Sequence, residues 1–65
     1  MENFGERLKN LRESRGISTR ELGEVIGVNF VTIQHWENNE RCLTIGTLIK
    51  LARYFNVSID YLVGL

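Results

Sequence analysis

The sequence of 65 residues has no proline and only one cysteine, Cys42. Without proline, no helical segment is forced to break. One cysteine excludes an internal disulfide, and one cysteine with one histidine makes no zinc set. No apolar run approaches the roughly 20 residues that a membrane span needs. No charged n-region leads into an apolar h-region, so no secretory signal is expected, and a reducing cytoplasm fits. Neither sign of charge is in surplus: eight basic residues meet eight acidic ones. That balance leaves only a local positive face available for a polyanionic partner and predicts weak non-specific affinity for one. Paired catalytic carboxylates, a glycine-rich phosphate loop and a Ser-His-Asp or Cys-His set are all missing, so the sequence offers no catalytic inventory, no cofactor site and no small-molecule ligand.

What remains is one small domain, residues 1–65, with 43% hydrophobic residues, enough for a packed core. Apolar residues recur at helical spacing. Phe4, Leu8 and Leu11 mark a first helix from Phe4 to Arg15, ended by Gly16. Ser18 and Glu21 form the S-x-x-E capping box of a second, with Leu22 and Ile26 inward and Val25 at their edge. Asn29 caps a third. Thr44 caps a fourth, running to about Tyr54 with Leu48, Leu51, Ala52 and Phe55 inward and Asn56 as its C-cap. Ser58 caps a short fifth helix with Asp60 in its first turn, and Ile59 and Leu62 are expected to pack back. Without disulfide or metal, stability must come from helix packing, helped by dimerisation. The expected fold is all-α.

The stretch Thr19 to Asn38, TRELGEVIGVNFVTIQHWEN, organises the chain. Gly27 interrupts the apolar face of the second helix and Asn29 restarts a helix two residues on, which is a helix-turn-helix spacing. With Leu22, Gly23, Ile26, Gly27, Val28, Ile33 and Trp36 at their spacing, this stretch resembles the phage-repressor/Cro (XRE-type) helix-turn-helix family. LKNLRESRGIS before it and LIKLARYFNVSIDYL after it extend the resemblance over nearly the whole chain. The resemblance implies a compact five-helix lambda-repressor-like domain with its helix-turn-helix at 19–38. It also implies sequence-specific binding of double-stranded DNA by a transcriptional regulator, most simply a repressor, acting as a homodimer on a palindromic operator. The domain could also be the N-terminal part of a longer repressor.

Helical phase divides the third helix. At about 100° per residue, Asn29, Phe30, Trp36 and Glu37 fall within about 60° of Ile33, whereas Val31, Gln34, His35 and Asn38 point away. The resemblance places base-reading roles on Phe30, Val31, Gln34 and His35. Gln34 and His35 could bond base edges, and Phe30 and Val31 could touch thymine methyls. It places phosphate contacts on Thr19, Asn38 and the following loop, where Asn39 and Arg41 could serve; Arg20 and Thr32 could add to them. Glu40 stands in that loop where the family usually carries a base. The resemblance also pairs Arg12 with Glu37, and phase supports burial of Glu37, since a buried carboxylate needs a cation. The apolar end YLVGL suggests dimer contacts through Tyr61, Leu62, Val63 and Leu65. Balanced charge, Glu40 and the apolar Phe30–Val31 pair keep a second reading open: a protein-interaction or dimerisation module that keeps the fold without binding DNA.

Overall fold

The structure is a computed structural model that describes residues 3–40 and 43–65. Among them run α1 (Phe4–Ser14), α2 (Thr19–Ile26), α3 (Phe30–Glu37), α4 (Ile45–Phe55) and α5 (Ile59–Val63). Arg41 and Cys42 lie outside the described residues. Helices of this length are marginal in isolation, so each exists because one face is buried.

Side-chain caps set four of the five starts. Ser18 Oγ accepts from the Glu21 amide at 3.1 Å, while Glu21 Oε1 accepts from the Ser18 amide at 3.0 Å, completing the capping box. Asn29, Thr44 and Ser58 cap α3, α4 and α5 through single side-chain acceptors. Several ends use a residue in the left-handed region, among them Gly27 (φ 89°), Asn39 (φ 58°) and Asn56 (φ 57°). Asparagine tolerates that region better than most side chains, and so replaces glycine at two of these turns.

The core gathers Phe4 and Leu8 of α1, Leu22 and Ile26 of α2, and Ile33 and Trp36 of α3. Leu48, Leu51, Ala52 and Phe55 of α4 and Leu62 of α5 complete it. Each fully buried aliphatic side chain contributes about 1.5–3 kcal/mol. Leu11, on the apolar face that marks α1, and Val28 are only partly buried at the margin of this cluster. Ile59 is exposed, because α5 has a single turn and buries only the residue facing α1 and α4.

Two close approaches fix how the helices cross. A Cβ on Gly23 would sit 2.7 Å from the Val28 carbonyl oxygen and 3.3 Å from the Phe30 amide nitrogen, so the α2–α3 turn passes directly over this glycine. A Cβ on Gly5 would sit 2.6 Å from the Glu37 carbonyl carbon and 2.8 Å from the Trp36 carbonyl oxygen, so the start of α1 lies on the end of α3. The Gly5 amide also donates to Asn39 Oδ1 at 3.0 Å across the same junction. Both ends of α3 are thus held by neighbouring backbone while its middle is held by Ile33 and Trp36.

Candidate nucleic-acid interface

Because α3 is anchored on one side, its other side is presented. Ile33 and Trp36 are buried, Val31 and Gln34 are exposed, and His35 is partly exposed. The helix start is ordered by Asn29, whose Oδ1 accepts from the Val31 amide at 2.8 Å. Phe30 is half-buried, and the Arg20 guanidinium lies over its ring, 3.9 Å from the centroid. Arg20 and Phe30 therefore cover each other, a cation–π contact that holds both at the edge of the exposed face.

Next to that face is a polar cleft of about 300 Å³ lined by Lys9, Arg12, Thr19, Gln34, Glu37 and Asn38. It brings Thr19, Gln34 and Asn38, three residues singled out in the sequence, around one opening. Lys9 was not singled out. The available signal was its spacing: it stands three residues before Arg12 on α1 and so shares that helical face.

Beneath the cleft, Arg12 Nε donates to Glu37 Oε2 at 2.6 Å and Nη2 donates to Glu37 Oε1 at 3.2 Å. Arg12 Nη1 donates to the Ile17 carbonyl at 2.9 Å. The side chains are 13% and 8% exposed. One guanidinium thus joins α1, the α1–α2 turn and the end of α3, and the forked geometry is one that arginine alone provides. Its hydrogen bond to Glu37 holds the Arg12 guanidinium above its ordinary range; burial opposes this, and the charges of Glu37 and Glu13 reinforce it.

The loop after α3 departs from expectation. Asn39 adopts the left-handed conformation, its amide donates to the Trp36 carbonyl at 3.1 Å, and the Glu40 amide donates to the His35 carbonyl at 2.8 Å. These two bonds define a Schellman motif. With its side-chain oxygen on Gly5, Asn39 is a strut between helices and keeps only its amide NH₂ group for a phosphate. Glu40 Oε1 lies 3.1 Å from His35 Nδ1, a pairing that sequence spacing alone did not suggest. Thr32 is half-buried at the side of the helix. Arg41 lies outside the described residues.

At the C-terminal end the structure corrects one assignment. Leu62, expected both to pack back and to join the dimer contacts, is wholly buried and belongs to the core, so its side chain offers nothing to a partner. Tyr61 is 42% and Leu65 90% exposed, and Val63 is half-buried. The Arg7 guanidinium lies 5.1 Å from the centroid of the Tyr61 ring, tying α5 to α1.

The family model described as helix-turn-helix matches residues 8–62. An HTH-type transcriptional regulatory protein of Pyrococcus furiosus is 42% identical over 52 residues, covering 80% of this chain and 16% of that protein. The HTH-type transcriptional regulator ImmR of Bacillus subtilis is 34% identical over 61 residues, covering 94% of this chain and 48% of that protein. The chain therefore spans about half or less of these relatives. Among solved structures, the P22 c2 repressor protein, in complex with the synthetic operator 9T, matches with a TM-score of 0.88 and 32% identity. That match covers 95% of this chain and 94% of the other.

Proposed function

Since the chain belongs to the helix-turn-helix family, we propose that it is the sequence-specific double-stranded DNA-binding part of a transcriptional regulator, a repressor. The observation that carries this reading is the exposed Val31, Gln34 and His35 face on a helix whose opposite face is locked in the core. The same fold in the P22 c2 repressor meets an operator, which supports it.

In this reading α3 enters the major groove with its N-terminal residues nearest the bases. Gln34 and His35 bond base edges, and Val31 touches a thymine methyl. Phe30, held under Arg20, closes the edge of the contact. Thr19, Asn38 and Lys9 meet phosphates around the cleft, with Thr32, Asn39 and Arg41 adding to them. The free amides at the start of α2 add a positive dipole end. Arg12 and Glu37 act beneath them, holding α1 and α3 at the angle that lets both reach the same backbone.

Two copies related by a two-fold axis would place their α3 helices about one DNA turn apart, roughly 34 Å, on a palindromic site. Tyr61, Val63 and Leu65 supply the apolar contact. Occupancy of a promoter then blocks polymerase sterically.

The test is binding to random and selected DNA across a salt series. The expected result is a steep fall of affinity with salt, as phosphates are neutralised, together with a recovered palindrome. No binding at low salt overturns the reading. It would favour a protein-interaction module, which the zero net charge supports.

A further inference from the structure

The motif that ends α3 does more than stop the helix. In a Schellman motif the residue two beyond the cap is brought over the residue three before it, and an apolar contact usually joins them. Here those two positions are Glu40 and His35, and the contact is polar. The Glu40 amide donates to the His35 carbonyl at 2.8 Å, which anchors the backbone. The Glu40 carboxylate then meets His35 Nδ1 at 3.1 Å. An ionised carboxylate only accepts hydrogen bonds, so Nδ1 must carry the proton. In a neutral imidazole the other nitrogen, Nε2, is then an acceptor. Nε2 is also the one ring nitrogen left for an outside partner.

We infer that Glu40 sets the hydrogen-bonding sense of His35, so that Nε2 accepts from a base and selects an exocyclic amino group in the major groove, that of cytosine or adenine. This rests on the proposed DNA-binding role of α3. Guanine presents N7 and O6, both acceptors, and an accepting Nε2 has nothing to offer it. Glu40 is a positioning residue here: it touches no base, and it acts through the proton on His35.

Two measurements test it. The chain has one histidine, so a two-bond ¹⁵N–¹H correlation spectrum of the free protein at pH 8.5 reports this imidazole without assignment. The Nδ1–H form is expected to dominate in the native protein. In Glu40→Gln the side-chain amide can donate to Nδ1, and the Nε2–H form is expected to gain. Glu40 is exposed, and unfolding midpoints of the two proteins check that the fold is shared.

The second measurement is selection of bound DNA from a random pool at the same pH. His35→Ala is expected to erase preference at one position of each half-site, and the native protein is expected to favour cytosine or adenine there. Glu40→Gln should lower the ratio of these bases to guanine at that position by roughly tenfold, the scale of one hydrogen bond. Guanine preferred by the native protein, or an unchanged ratio in Glu40→Gln, overturns the inference and leaves DNA binding standing. A dominant Nε2–H form in the native protein overturns it without any DNA. No DNA binding by the native protein removes the proposed function and this inference together.

Discussion

Gly5 and Glu37 are in backbone contact: a Cβ on the glycine would lie 2.6 Å from the glutamate's carbonyl carbon. The obstacle is main chain, which cannot rotate aside as a flexible side chain could. Gly5→Ala must therefore push α1 away from the end of α3, at a cost of about 1–3 kcal/mol for overpacking. Urea unfolding of Gly5→Ala against Gly46→Ala reads this. Among the described residues Gly46 has only the Thr44 hydroxyl within reach, at 3.9 Å, and should gain from alanine's helix propensity.

The Arg12–Glu37 pair should be costly to break from either side. Removing one partner of a buried pair costs about 3–5 kcal/mol. Glu37→Ala should therefore unfold at far lower denaturant than Glu13→Ala, an exposed control. The double variant should cost less than the sum of the two single losses, because the second removal no longer strands a charge. Arg12 is held above its ordinary range in the folded state. A base raised on folding stabilises fully below its unfolded pKa and loses that stabilisation only as pH rises through the folded value. Its contribution should thus be constant from neutral to mildly alkaline pH.

Leu62 and Leu65 should separate stability from assembly. Leu62 is fully buried, so Leu62→Ala should cost about 2–5 kcal/mol as a cavity. Leu65 is 90% exposed and should be near neutral for folding. Tyr61→Ala with Leu65→Ala should raise the dimer dissociation constant in sedimentation equilibrium. A Leu65 change that destabilises the monomer as much as Leu62→Ala would contradict this division.

Base and phosphate contacts should respond differently. Gln34→Ala should relax preference at particular operator positions by about 1–3 kcal/mol. Lys9→Ala should weaken all sequences alike and lower the salt slope by about one unit, with base preference unchanged. Val31→Ala should act only where a thymine methyl is touched, and uracil at that position should reproduce its loss.

The parts of this fold visible in the sequence are those encoded over one helical turn. Ser18 with Glu21, Asn29, Thr44 and Ser58 announce helix starts because a cap needs only residues within three positions. The phase of α3 was also visible, since eight residues complete two turns around Ile33. Leu62 takes two readings from the sequence, core and dimer contact, because α5 is one turn long, too short for phase to separate inside from outside; the core reading holds. Gly5 gave no signal, since what it accommodates lies 32 positions away at Glu37. The structural task of Asn39 gives no signal either, since its left-handed turn and its bond to the distant Gly5 amide depend on residues far along the chain.

The eight residues of α3 hold Ile33 and Trp36 of the core on one side and Val31, Gln34 and His35 on the other. An opening that releases the exposed side also takes Ile33 and Trp36 out of the core. The backbone-bonded amide protons of α3 from Ile33 onward should then exchange only through global unfolding, at the same free energy as those of Leu22 and Leu51. A protease should find no cleavable intermediate in which the helix is frayed and the rest intact. Any substitution that halves the lifetime of the folded domain should halve the lifetime of its reading surface with it.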